Sequence, residues 1–254
     1  MASCKTSDAA SHIDASLLNA LAVHKRWGKH TEFAYEFYAQ DQFPDERYYE
    51  EIIFQDRRIP TRTNNLHDFF NGLIWLQFPQ TKALLNALHW EDMVSVGRKK
   101  RTPKRDRITH FDECGLIILS DLPELESRLR AHDWQWLFIE NRDAWFTRIL
   151  PIHFGHANLE MLCEPFIGLT GKALVLSQEE AGVSHSNSYE NRINELDSRL
   201  VAHIKEQGVF DQKGALCPLP ILGIPGWHKG HQDTGFYANR EYFMPHPSNR
   251  KRDG

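Results

Sequence analysis

Three things are scarce in this chain, and each scarcity excludes something. It has four cysteines in 254 residues, Cys4, Cys114, Cys163 and Cys217. They are far apart and form no Cys-x-x-Cys pair, so neither a zinc ribbon nor a dense disulfide framework is indicated, and a reducing compartment fits. Long apolar runs are missing as well. No segment approaches the roughly 20 apolar residues that cross a bilayer, and His12, Asp14, Ser16 and Asn19 break the N-terminal stretch where a signal-peptide core would lie. A cytoplasmic protein with no membrane span is expected. Charge of one sign is the third scarcity: the formal net charge is −4 with 14 histidines counted as neutral. Bulk charge alone would draw neither nucleic acid nor an anionic membrane to it.

With 41% hydrophobic and 25% charged residues, the composition is that of a globular protein able to bury a substantial core. No internal repeat and no linker stands out. The expected organisation is a disordered tail over 1–12, a single globular domain over 13–246 and a disordered basic tail over 247–254. The best helix lies in "LHDFFNGLIWLQF", where Leu66, Phe69, Phe70, Leu73 and Ile74 follow helical spacing after an Asn64 or Asn65 cap, and Pro79 marks a break. A second helix over 80–91 presents Ala83, Leu84, Ala87 and Leu88, and a third over 191–207 presents Ile193, Leu196, Leu200 and Ile204, with Gly208 as its stop.

"GRKKRTPKRDR" holds seven basic residues in eleven and reads as a loop interrupted by Pro103. "ITHFDECGLIILSD" reads as a small hairpin turning at Asp112 to Gly115. The stretch after Pro151 is expected to be helical to about Glu164, with "KALVL" as a short strand or another buried element. The Pro- and Gly-rich tail from Cys217 reads as loop or extended chain wrapping the domain. The expected fold class is mainly α, or α+β with minor β content: packed helices, a small hairpin and a long C-terminal wrap.

Chemistry concentrates where helices carry polar residues. His67 and Asn71 are four apart on one helix, beside Asp68, and His156 and Glu160 repeat that spacing on another, so each pair shares a face. Mid-helix Gly72 costs about 1 kcal/mol relative to Ala, which suggests a close approach to the backbone, by another helix or by a ligand. An imidazole held by a carboxylate suits a general base; a structural hydrogen-bonded pair is the plain alternative. The spacing is not that of a metalloprotease, so metal binding has no motif behind it, and no cofactor is named by the residues. "GLTGK" fails as a phosphate loop because Phe166 stands where the first glycine belongs and Ala173 follows Lys172. Lys172 remains a lone anion contact. His132 and Asp133 offer either a catalytic pair or a helix cap. Asp106, Asp112 and Glu113 could hold a metal near the basic loop, or be turn residues; Cys217, His228 and His231 lack a fourth zinc ligand.

Five ordered blocks, "LHDFFNGLIWLQFPQTKALLNALH", "RTPKRDRITHFDECG", "HDWQWLF", "FGHANLEMLCEPFIGLTGKAL" and "LPILGIPGW", resemble the bacterial family catalogued as domain of unknown function 3025. The likeness runs from about Asn64 to Tyr237. It implies that these blocks form one domain, and it carries no activity, cofactor or catalytic residue over to them.

Two functional classes follow. One is a hydrolase or transferase acting on a small anionic or phosphorylated substrate, with His67, Asp68, Asn71, His132, His156 and Glu160 as its acid-base cluster and Arg101 or Lys172 holding the anion. It requires the two polar helix stripes to face one pocket. The other is a non-catalytic binding protein whose Arg98, Lys99, Lys100, Arg101, Lys104 and Arg105 contact nucleic acid or an acidic partner.

Overall fold

β-Structure lies at the centre of the molecule. The structure, a computed structural model, describes residues 13–24, 35–42, 46–179, 189–232 and 234–248. The expected N-terminal tail and all but 247–248 of the expected basic tail lie outside these. Four strands, β3 (Gly115–Ser120), β4 (Ile149–His153), β5 (Thr170–Ser177) and β6 (Cys217–Pro220), form a mixed sheet in the order β4-β3-β5-β6. β3 and β5 run parallel, and the outer strands are antiparallel to their neighbours. A second, two-stranded parallel sheet joins β1 (Glu36–Ala39) to β2 (Arg58–Thr61). The expectation of a mainly helical fold is therefore corrected to mixed α+β, with two sheets, of two and four strands, among the described residues.

The physical reason is the β3 sequence. "GLIILS" is buried at every position, and a run that is apolar on both faces belongs to a strand covered on both sides. Leu116 and Ile118 point into one core with Leu125, Leu129, Phe138 and Phe243. Ile117 and Leu119 point into the other, with Ile74, Leu85, Phe111 and Leu200. Helices α3 (Leu66–Gln77), α4 (Pro79–Val96), α5 (Pro103–Cys114) and α8 (Tyr189–Gln207) supply the second core. The first is closed by α6 (Leu125–Ala131), a π-helical turn over Trp136–Glu140 and the C-terminal stretch, where α9 (Thr234–Tyr237) leads to Tyr242 and Phe243. A third cluster joins α1 (Ala15–His24), α2 (Tyr49–Asp56), the small sheet and α3.

Two local expectations change with the fold. The basic stretch is a loop only as far as Thr102. There Thr102 Oγ1 accepts from Arg105 N at 3.1 Å and Pro103 takes the first helical position, so the proline begins α5 and interrupts nothing. The expected hairpin turn at Asp112 to Gly115 is the end of that helix and the start of β3. The helix expected after Pro151 shortens to α7 (His156–Met161), because Pro151 to His153 belong to β4. Gly72, the mid-helix glycine of α3, is explained by packing: a Cβ there would stand 2.5 Å from Leu18 Cδ1 of α1.

Candidate active site

Five α-helices meet at one cleft of about 320 Å³. α3 brings His67, Asp68 and Asn71, α5 brings Asp112 and Glu113, α7 brings His156, and α2 brings Tyr49 and Glu50 to its wall, with His89 of α4. α7 owes its placement to Gly155. That residue donates its N–H to Gly115 O at 2.8 Å, and a Cβ there would lie 2.5 Å from Cys114 C and 2.6 Å from Cys114 Cα. Only glycine lets the start of α7 sit this close to the junction of α5 and β3, which sets His156 beside Asp112.

The two histidines meet end to end. His156 Nε2 lies 3.1 Å from His67 Nε2, with the ring planes 75° apart. Behind His67, Glu160 Oε2 is 3.1 Å from Nδ1. Behind His156, Asp112 Oδ2 is 3.9 Å from Nδ1. Asp112 in turn accepts from Lys82 Nζ at 2.5 Å, and Lys82 also donates to Asn71 Oδ1 at 2.8 Å and lies 5.4 Å from the centre of the Trp75 ring. Asn71 Nδ2 donates to the Tyr49 hydroxyl at 2.7 Å. The result is two hydrogen-bonded runs, Glu160 to His67 to His156 and Asp112 to Lys82 to Asn71 to Tyr49, which approach each other where His156 Nδ1, buried without a hydrogen-bond partner, lies 3.9 Å from Asp112.

Burial sets the charges along that chain. His156 is nearly enclosed, at 4% exposure, and burial drives its pKa down to about 4 against the opposing pull of Asp112. It is neutral at pH 7. Burial pushes the Asp112 carboxyl up, but the Lys82 ammonium and then His156 outweigh it, and the net shift is downward. The Tyr49 hydroxyl is held well above its ordinary range, by burial first and then by Glu50 and Asp112, although the residue as a whole is 38% exposed. His67 is the accessible member, its side chain 33% exposed.

The sequence candidates divide cleanly. His67, Asp68, Asn71, His156 and Glu160 gather at the cleft or directly against it, so the two polar stripes do face one place. Asp68, however, is clamped by Arg62, which donates to it from Nε at 2.9 Å and Nη2 at 2.7 Å. His132 is elsewhere. It closes α6 in a left-handed conformation with its ring against Trp134 and His246, and Asp133 accepts from Trp136 N, so this pair caps helical turns. Arg101 forms an exposed ion pair with Asp106 at 2.7 Å, Lys172 sits in β5, and neither lines the cleft. Cys217 is buried in β6, and the side chain of His231 lies outside the described residues.

The chain's relationships can now be added. A family model described as "Protein of unknown function (DUF3025)" matches residues 35–247. The chain belongs to the DUF3025 family. Neither the curated proteins nor the solved structures contain a match to it. The matched span of the DUF3025 domain takes in every residue of the cleft.

Lys82, Tyr49, Arg62 and His89 were not singled out by sequence. A signal existed for two of them. Phe78, Lys82, Leu85, His89 and Met93 recur at helical spacing and are all buried, so α4 of the DUF3025 domain turns inward a stripe that contains a lysine and a histidine. The stripe of Ala83, Leu84, Ala87 and Leu88 is only partly buried. Three side chains of the basic segment are paired within the fold: Arg98 with Glu51 at 2.7 Å, Lys104 with Asp211 at 2.9 Å and Arg105 with Asp92 at 3.8 Å.

Proposed function

We propose that this cleft is the active centre of a hydrolase or transferase acting on a small molecule, with the His67–His156 pair at its heart. The observation that carries the reading is the 3.1 Å contact between the two Nε2 atoms, with a carboxylate behind each ring. His67 meets the substrate from its half-open position and moves a proton to or from it. Glu160 fixes the tautomer of His67, and His156 Nε2, at 3.1 Å, holds the other side of the His67 ring, with the Asp112 carboxylate 3.9 Å from its far nitrogen. Asn71 and Arg62 are positioning residues in this reading: Asn71 orders Lys82 and Tyr49, and Arg62 orders Asp68.

The reading takes support from the cost of such a cluster. A buried lysine, a nearly enclosed histidine and a buried asparagine beside an open cleft lower stability unless every group is satisfied. The core of α3 and α4 would pack more stably without them. The described cysteines Cys114, Cys163 and Cys217 are all free thiols, which supports a cytoplasmic setting. None of the described helices is long and apolar enough to cross a membrane.

The substrate's charge is constrained by the lining. Glu50, Asp68, Asp112 and Glu113 face the cleft with Arg62, so an anionic or phosphorylated substrate needs a further positive group there. A panel of chromogenic carboxylic and phosphate esters, assayed with the wild-type chain and with His67→Ala and His156→Gln, tests the proposal. We expect turnover on at least one ester class, reduced about 100-fold or more in both variants, as loss of a general acid-base group does. Turnover that survives both substitutions would remove the pair from the chemistry.

A further inference from the structure

We infer that the substrate of this cleft is an organic cation, an ammonium or guanidinium compound whose N–H groups are taken by the carboxylates of the lining and by His156. The inference deepens the reading of the cleft as an active centre and rests on it.

Charge in the lining is unbalanced. Asp68 is matched by Arg62, which donates to it at 2.7 and 2.9 Å, and Asp112 is matched by Lys82 at 2.5 Å. Arg101, whose Nη2 reaches Thr109 of the lining, is matched by Asp106. Glu50 meets a neutral donor, Asn86 Nδ2 at 2.6 Å, and the Glu113 side chain has neither an ion pair nor a hydrogen bond among the described residues. Two carboxylates therefore face the cleft without a cation of their own. Against the low-dielectric walls of a cleft such charges attract a counter-ion more strongly than they do in open water.

Hydrogen bonding beside Asp112 asks for a donor as well. Glu160 can only accept, so neutral His67 gives it Nδ1–H and turns the lone pair of Nε2 toward His156. His156 then donates from Nε2 at 3.1 Å and carries its own lone pair on Nδ1. That nitrogen is buried without a hydrogen-bond partner, in a residue only 4% exposed, and Asp112 Oδ2 lies 3.9 Å from it. Two acceptors thus stand side by side in the lining with no donor between them. An ammonium or guanidinium brings N–H groups and positive charge together.

The second hydrogen-bonded run adds an oxygen to the description. Lys82 can only donate, so Asn71 offers it Oδ1 and gives Nδ2–H to the Tyr49 oxygen, which leaves the Tyr49 proton for an acceptor on the substrate. A carbonyl or hydroxyl oxygen besides the cationic group, as in an amino-acid amide or ester, meets both requirements.

The test uses the full chain in low salt, titrated by calorimetry with argininamide, lysinamide and glycinamide as cations and with succinate and inorganic phosphate as anions. We expect saturable binding of the amides at a single site and no binding of the anions at the same concentration. Affinity for the amides should fall at least about tenfold in Glu113→Gln and in Glu50→Gln, which keep the side-chain shape, and stay unchanged in Glu124→Gln at the exposed start of α6. Glu113 has no partner to lose, so Glu113→Gln decides the question even if Glu50→Gln fails to fold. Preference for succinate or phosphate, absence of saturable binding by any amide to the folded wild-type chain, or equal binding by Glu113→Gln, overturns the proposal. The same chains are assayed on arginine methyl ester and monomethyl succinate. Amide binding through Glu113 with turnover of neither of these nor of any chromogenic ester keeps the cation site and retires the active-centre reading. Turnover of monomethyl succinate that depends on His67, with no amide bound, keeps that reading and retires the cation.

Discussion

Lys82 shows how much of the cleft's architecture one side chain supports. Its side chain is 4% exposed, and its ammonium serves both Asp112 and Asn71 from beneath His156. Replacing it with methionine keeps most of the packing against Trp75 but leaves Asp112, itself only 21% exposed, without its counter-ion. Removing one partner of such a pair costs about 3 kcal/mol, because the remaining charge stays in a poorly solvated place. Lys82→Met should therefore lower the unfolding free energy, read from urea denaturation, by about that amount. Adding Asp112→Asn to it should recover a large part of the loss, and a double variant no more stable than Lys82→Met alone would show that the pair is not the source.

At the scale of elements, α4 and α8 are held together by a carboxylate acting at a distance. Phe78 at the start of α4 offers no side-chain cap. Asp197 of α8 does so instead, accepting from Gln80 N and Thr81 N at 2.9 Å each and from Thr81 Oγ1 at 2.6 Å, while only 1% exposed. It satisfies two amides left open by the helix geometry and stands at the positive end of the helix dipole. Asp197→Ala strands those donors in the core, and a loss of roughly 2–4 kcal/mol in denaturant unfolding is expected. A loss below 1 kcal/mol would mean that water reaches the helix start.

Legibility in the sequence followed the same elements. α3 and α8 were readable because their apolar residues repeat at helical spacing, and the His67 and His156 pairs because an i, i+4 arrangement is local. α5 was not, since its charged surface hides the Ile108 and Phe111 that bury it, and its Pro103 marks a beginning that looks like an interruption. β3 was half readable: "LIILS" is recognisably a strand, but pairing it in parallel with β5, more than fifty residues on, is a long-range choice that no local pattern encodes. Asp112 shared this fate. Its meeting with Lys82, thirty residues away, depends on α4 and α5 packing together.

For the whole molecule, the response to acid depends on histidines folded away from water. His153 in β4 has both ring nitrogens buried without a hydrogen-bond partner and lies stacked on Trp227 at 4.7 Å. Burial lowers its pKa from 6.5 to about 4. Between those values the unfolded chain binds a proton that the folded chain refuses. The contribution of this group to stability is therefore complete above pH 6.5 and is lost progressively as the pH falls to about 4, where the folded form also protonates. The full loss amounts to roughly 3 kcal/mol at about 1.4 kcal/mol per unit. His153→Phe keeps the stacked ring and has nothing to protonate, so its stability curve should be flatter than that of the wild type across this window. The comparison is thermal or urea unfolding at half-unit steps from pH 4 to 7. Parallel curves for the two chains would show that His153 is solvated in the folded state, and that the acid sensitivity of the molecule arises at other residues.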